Sequence, residues 1–295
     1  MSKSEVSGLR VLCRVATAAD DGRLVKYFVR GGMGVSYHQF ASLKQRNGLL
    51  VNGAPVHANY VLREGDAVEV RLEEDGAVVV PDPTPVDVVW EDEDLLIIDK
   101  PAPLACQCSP KQTAMTLENR LAHRYPEMPF RPLNRLDKGT GGLMAAAKNA
   151  HAAQLLQKQL HTDAFIREYL AVVEGSMDGA GTIDAPIAKA PEATVRRIVD
   201  FENGVRAVSH YQVVQPGTEY SLVRLRLETG RTHQLRVHLA HMGHPIAGDF
   251  LYGREDPRLP GRFALHSTYI RLTHPITGEV VEQTSPLPEA LKALL

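Results

Sequence analysis

The sequence predicts an α+β protein made of two unequal domains. Its 295 residues exceed one average domain. Proline takes every second position at Pro81, Pro83 and Pro85, which marks a stiff, extended linker. The boundaries expected are a module at 1–80, a linker at 81–87 and a larger domain at 88–295. In the larger part Val223, Leu225 and Leu227 alternate with Arg224, Arg226 and Glu228, the pattern of a half-buried antiparallel strand. Hydrophobic content of 44% and charged content of 23% are ordinary for a chain that buries a core. No run of about 18 apolar residues occurs, so no membrane span is expected. Residues 1–22 lack the apolar core of a signal peptide. Three cysteines (Cys13, Cys106, Cys108) cannot form a disulfide framework and fit a reducing cytoplasm.

The N-terminal module reads as a basic surface on short elements. Net charge is −2, yet 22–63 holds Arg23, Lys26, Arg30, Lys44, Arg46 and Arg63 and no acidic residue. That distribution matters more than the sum and marks a local basic face. Leu24, Tyr27 and Phe28 at i, i+3 and i+4 predict a short helix stopped by Gly31-Gly32. Ser36 can cap a second helix carrying Phe40 and Leu43, with Lys44 and Arg46 at its end. A strand at 49–51, an Asn52-Gly53 hairpin turn, a Gly65-Asp66 turn and an alternating strand at 67–72 complete the module.

Beyond the linker, apolar strands at 88–90 and 95–98 flank the acidic turn 91–94. A helix over 116–125 turns Leu117 and Leu121 inward. Then comes RPLNRLDKGTGGLMAAAKN, 131–149, which sets Asp137 between Arg135 and Lys138 ahead of the turn Gly139-Thr140-Gly141-Gly142. This reads as a turn entering a buried strand, with glycines that let a partner come close to the backbone. Taken alone, Asp137 would be a cap of local N–H groups. Asn149 caps a helix through 161 with Ala152, Leu155, Leu156 and Leu160 as its apolar stripe. In the strand 165–174, Tyr169, Ala171 and Val173 share one face, where a tyrosine is by default a core residue. Strands at 207–214 and 220–228 follow. Thr232 caps a helix over 233–241 that Gly243 and Pro245 end. The histidines at 233, 238, 241 and 244 match neither HExxH nor an i, i+4 pair, and Cys106-x-Cys108 lacks a second ligand pair, so no metal is expected. A last strand runs from 264 to 272.

Several of these stretches carry a family pattern. NRLDKGTGGLM resembles HRLDxxTSGLL, the active-site signature of the RluA-type RNA pseudouridine synthases, with Asn134 for the usual His and Gly141 for the usual Ser. DEDLLIIDKPAPLACQ is similar to DxxLLVVNKPxGLxVH, with Gln107 for the common His. REYLAVVEG resembles KxYxALVxG, with Arg167 for Lys, and GRTHQLRVHLAHMGHPIAGD is nearly the full family motif. Ala264-Leu265-His266 resembles the LHA motif, and the helices plus LLVNGAPVHANYVLREGDAVEV resemble the S4-type RNA-binding module. The likeness covers about 88–295 and 22–72.

The resemblance implies a pseudouridine synthase fold, a mixed and mostly antiparallel sheet flanked by helices, with an S4-like α/β module before it. It implies that Asp137 is catalytic, that Arg236 pairs with it, and that Tyr169 takes the proton from carbon 5. Leu265 would pack against the tyrosine and the target base; Arg231 and His233 of the same motif would bind substrate, and Arg135 would fill the gap left by the flipped uridine. Arg23, Lys26, Arg30, Lys44 and Arg46 would hold RNA phosphates. The reaction breaks the base–ribose bond, turns the uracil and rejoins it through carbon 5, with no redox change and no cofactor required. Asp137 could serve as nucleophile at the anomeric carbon or as a base at the ribose; the sequence leaves both open. The partner expected is RNA, ribosomal (23S) rather than transfer RNA, with no obligate protein partner. Two other readings stand beside this one: a catalytically silent RNA-binding protein, and a carboxylate-dependent nucleoside or glycoside hydrolase. The hydrolase needs a second carboxylate, for which Glu228 is the only nearby candidate.

Overall fold

The computed structural model describes residues 9–33, 35, 40, 43, 47–73, 79–109, 112–160, 162–191 and 195–295. Ser36, Lys44, Arg46 and residue 161, each named above, lie outside the described residues. The chain divides into two compact units, Met1–Ala77 and Val78–Leu295.

In the first unit β1 (Leu9–Val15), β2 (Leu49–Val51), β3 (Ala54–Pro55) and β4 (Ala67–Glu73) form one antiparallel sheet in the order β1-β4-β2-β3. The strand β1 was not expected from the sequence; it pairs along the whole of β4. The helix α1 (Val25–Tyr27) runs on into a wide turn at Phe28–Gly32. Phe28, Val29, Phe40, Leu43, Leu62 and Val68 share one apolar core. Asp66 ties the turns together: it accepts from Asn52 Nδ2 at 2.8 Å, Tyr60 OH at 3.2 Å and the Arg63 amide at 2.9 Å. Those donors hold its carboxyl below the usual range.

The second unit is built on a ten-stranded sheet. Its elements in chain order are β5 (Asp87–Glu91), β6 (Leu95–Lys100), α2 (Leu117–Arg124), β7 (Arg131–Pro132), β8 (Gly141–Ala147), α3 (Ala150–Gln157), β9 (Phe165–Glu174) and β10 (Ala180–Asp184). There follow β11 (Ile187–Lys189), β12 (Arg197–Val199), β13 (Val208–Gln215), β14 (Tyr220–Leu227), α4 (Gln234–His241), β15 (Leu265–Thr273), β16 (Val280–Thr284) and α5 (Glu289–Lys292). The order is β10-β13-β14-β9-β15-β8-β6-β5, with β16 on β15, β7 on β8, and β11–β12 as a separate hairpin. Only β15 and β8 pair in parallel; the sheet is mixed and mostly antiparallel, as the sequence predicts.

The centre of the sheet is buried on both faces, which explains why β6 and β8 read as continuous apolar runs. Leu96, Ile98, Met144 and Ala146 point to one core with Leu117 and Leu121 of α2. Leu95, Ile97, Leu143 and Ala145 point to the other, with Ala152 and Leu156 of α3. Thr116 caps α2 in a reciprocal box with Asn119, and Asn149 Oδ1 caps α3 by accepting from the Ala152 amide at 2.8 Å. The proline-spaced segment does not stand free as a spacer. Val86 enters the core beside α2, Asn119 Nδ2 donates to Val80 O at 2.8 Å, and Asp82 lies 3.6 Å from Arg120.

Candidate active site

The site grows from the turn before β8. Thr140 N donates to Asp137 O at 3.0 Å, closing a turn that leaves the Asp137 side chain partly exposed in a cleft of about 840 Å³. The glycines of this turn admit the protein's own chain, not a foreign partner, which corrects the expectation drawn from them. A Cβ at Gly139 would stand 2.6 Å from the Phe263 ring, and one at Gly142, where φ is +103°, would stand 2.2 Å from Ser267 O. The first clearance seats an aromatic floor; the second lets β15 lie parallel against β8, with Ser267 opposite Gly142.

On that floor rests Arg236 from α4, its guanidinium carbon 4.2 Å from the Phe263 ring centre and 5.0 Å from that of Tyr252. Its Nε and Nη2 donate to Asp249 Oδ2 and Oδ1 at 2.7 and 2.8 Å, a bidentate pair buried with almost no exposure. The remaining Nη1 donates to Asp137 Oδ2 at 2.9 Å. Burial opposes its charge, but the two carboxylates prevail and raise the arginine above its ordinary range. The structure thus brings Asp137 and Arg236 into contact and adds Asp249, a residue of the same motif to which the sequence assigns no role.

The start of α4 differs from expectation. Thr232 caps nothing; His233 is the N-cap, in the left-handed conformation at φ 60°. The reason lies in Gln234, whose Oε1 accepts from the Arg231 amide at 2.9 Å and Thr229 Oγ1 at 2.8 Å. The sharp turn aims the His233 ring at the site. Tyr252 OH accepts from the Arg197 amide at 2.9 Å and lies 2.8 Å from His233 Nδ1. We assign the phenol proton to Nδ1, which leaves the imidazole proton on Nε2, 3.9 Å from Asp137 Oδ2. Burial holds His233 below its ordinary pKa and so in the neutral form.

The other expected residues surround this centre. Tyr169, on the inward face of β9, and Leu265, at the head of β15, are both 4% exposed and line the pocket with Asp137 and Arg236. Burial raises the Tyr169 phenol. Arg135 and Arg231 are exposed at its rim; Arg231 Nε donates to Arg206 O at 3.0 Å and Arg135 approaches Gln107 Oε1 at 3.5 Å. Lys100, fully buried, donates to Leu104 O at 2.7 Å, and burial pushes it down to about 8, against the nearby Cys106 and Asp137.

Glu228 is not the nearby carboxylate that the sequence suggests. It lies at the surface with Arg206 and His210, whose hydrogen bonds keep it below the usual range. Asp249 is the second carboxylate, linked to Asp137 through Arg236.

Two histidines of this stretch, His238 in α4 and His244 just beyond it, are taken up by protein groups. His238 is buried between Ser209 Oγ and Ala185 O, each at 2.9 Å, and His244 Nδ1 lies 3.1 Å from Glu174 O. Among the described residues one group could hold a metal ion: Asp92, Asp94 and His274, at the β5–β6 turn and the end of β15. There His274 Nδ1 accepts the Ile276 and Thr277 amides, which leaves the proton on Nε2, 2.8 Å from Asp92. In that tautomer it offers no lone pair to a cation.

In the first unit the basic residues are partly committed. Arg23 Nη1 donates to the buried Asp20 at 3.1 Å, and Lys26 lies over the Tyr27 ring at 4.8 Å. Arg30 lies in the turn after α1.

The chain matches the model of the RNA pseudouridylate synthase family over residues 94–241. It is 35% identical to the uncharacterized RNA pseudouridine synthase YjbO of Bacillus subtilis, over 90% of this chain and 96% of that one. It is 39% identical to the ribosomal large subunit pseudouridine synthase D of Escherichia coli K12, over 78% and 76%. Among solved structures, human RNA pseudouridylate synthase domain containing 1 superposes with a TM-score of 0.59 at 28% identity, over 72% of this chain and 88% of that chain. The turn before β8, the α4 arginine and the mixed sheet that joins them therefore belong together by descent: the chain is a member of the RNA pseudouridylate synthase family, isomerases that act on RNA.

Proposed function

We propose that the protein isomerises uridine to pseudouridine in large-subunit ribosomal RNA, in the cytoplasm, with Asp137 as the carboxylate that acts on the ribose. The observation that carries this is the Asp249–Arg236–Asp137 chain. Arg236 takes Asp137 Oδ2 and leaves Oδ1 to face the sugar, while Asp249 fixes the guanidinium from behind. The ribosomal target is supported by the likeness to the ribosomal large subunit pseudouridine synthase D of Escherichia coli. Leu265 and Tyr169 wall the uracil, and Tyr169 receives the carbon 5 proton. Burial disfavours its phenolate, and Arg167 on the same face of β9 opposes that. His233 offers Nε2–H beside Asp137, Arg135 enters the stack left by the flipped uridine, and Arg231 holds the strand at the rim. The first unit, through Arg23, Lys26, Arg30, Lys44 and Arg46, adds salt-sensitive phosphate contacts as an S4-like module.

Chemical labelling of pseudouridine in ribosomal RNA from cells lacking the protein tests this. One or more sites should vanish, return with the wild type and stay absent with Asp137→Asn, with the mass of the RNA unchanged. Persistence of every site, or release of free uracil, would refute it. Among the described residues a hydrolase finds no second carboxylic acid to protonate the leaving group, because Asp249 is locked in its arginine pair and hydrogen bonds from His210 and Arg206 favour the ionised form of Glu228.

A further inference from the structure

One buried cation lines the cleft without an anionic partner among the described residues: Arg167. It is 7% exposed, its Nε is enclosed without a partner, and it lines the cleft that holds Asp137 and Tyr169. Among the described residues no carboxylate or side-chain hydrogen bond answers its guanidinium, which lies over the Phe165 ring with its carbon 5.2 Å from the ring centre. Its Nη1 stands 3.8 Å from where a Cβ of Gly230 would be, next to Arg231. Arg236, at the same depth, has two carboxylates. An arginine buried without an anion is costly unless one arrives, and the substrate of this family is a polyanion.

We propose that Arg167 is a phosphate-binding residue of the cleft, its guanidinium taking a backbone phosphate of the strand that delivers the target uridine. Several features fit one another. Alternation along β9 sets Arg167 and Tyr169 on one face, so a phosphate held by the first lies along the strand from the base wall made by the second. Gly230 offers no side chain to block the approach. A guanidinium presents a planar fork to phosphate oxygens, which the lysine common in the family pattern does not. Enclosing Nε behind the Phe165 ring fixes the plane of the fork before RNA binds. The inference rests on the reading of this cleft as the uridine site.

The test uses full-length wild type, Arg167→Gln and Arg167→Lys. The first probe is inorganic phosphate against chloride at matched ionic strength, read as thermal protection. Phosphate should protect the wild type and Arg167→Lys more than Arg167→Gln. The second probe is unmodified 23S ribosomal RNA transcribed in vitro. For Arg167→Gln the slope of log affinity against log salt should fall by about 0.7, the value of one phosphate contact on a single strand. kcat/KM should drop about tenfold or more, mostly through KM, with the pH profile of kcat unmoved. If Arg167→Gln does not fold, Arg167→Lys decides: it should keep the slope while raising KM. Equal phosphate protection in all three proteins, or a shifted pH profile of kcat with KM unchanged, would overturn the proposal. The latter would mean that Arg167 acts through Tyr169. If the wild type modifies no uridine in the transcript, it is the target assignment that fails, and the phosphate arm still decides the role of Arg167.

Discussion

At Gly142 an added Cβ would meet Ser267 O at 2.2 Å, whereas at Gly141 its nearest neighbours, His266 Nδ1 and Lys100 O, lie at 3.4 Å. The two adjacent glycines therefore have opposite tolerances. His266 Nε2 donates to Ser285 Oγ, which donates its own proton to Asp99; burial keeps the imidazole neutral, so Nδ1 is a buried, unpartnered acceptor. A serine hydroxyl at position 141 can reach that nitrogen, and serine is what the family signature commonly has there. Gly141→Ser should gain about 0.5–1.5 kcal/mol and raise the melting temperature by about 2–4 °C. Gly142→Ala should lose at least about 2 kcal/mol, because it combines a strained φ with a clash against fixed backbone. Thermal denaturation of the two variants checks both. The departure at Gly141 was legible in the sequence, but its consequence was not, since the orphaned nitrogen belongs to a strand far along the chain.

Elements are tied to one another by the same buried group. His266 on β15 reaches Asp99 on β6 through Ser285, just beyond β16, and burial with Arg262 nearby pushes its pKa down to about 4. The unfolded chain, with the ordinary histidine value near 6.5, binds more protons between those limits. The stability that depends on neutral His266 is therefore complete above about pH 6.5 and is lost as pH falls towards 4, amounting to as much as about 3 kcal/mol. Asp99 works in the opposite sense, since burial raises it. Urea midpoints measured from pH 7 to 4.5 should fall steeply for the wild type and less steeply for His266→Gln; parallel curves would exclude His266 as the source. Helices α2 and α3 were readable from caps and apolar stripes, β6 and β8 from continuous apolar runs, and β9 and β14 from alternation, because those signals are local. The hairpin β11–β12 and strands β10 and β16 were not, because their residues are polar or short in run; β1 carries apolar residues in Leu9, Val11, Leu12 and Val15, but it is the pairing along β4 that makes it a strand.

Among the described residues, the core clusters of the second unit draw only on residues from Val86 onward. Val78–Leu295 expressed alone should fold with a cooperative transition close to that of the full chain. Its affinity for ribosomal RNA should fall, with a salt slope smaller by more than about 1 if the first unit supplies several phosphate contacts. Calorimetry and binding titrations against salt check the two parts, and an unchanged slope would remove the first unit from RNA binding. By itself the sequence determined the α+β class, the mostly antiparallel sheet and the family, through ordered motifs whose spacing is written along the chain. The tertiary structure alone decided that Asp249, and not Glu228, stands behind Arg236, that Phe263 floors it, and that His233 turns its Nε2 towards Asp137. It also decided that Arg167 stands buried with no acid to answer it among the described residues. The physical reason is that such partnerships depend on which atoms share a low-dielectric space, and no spacing in a linear sequence encodes that.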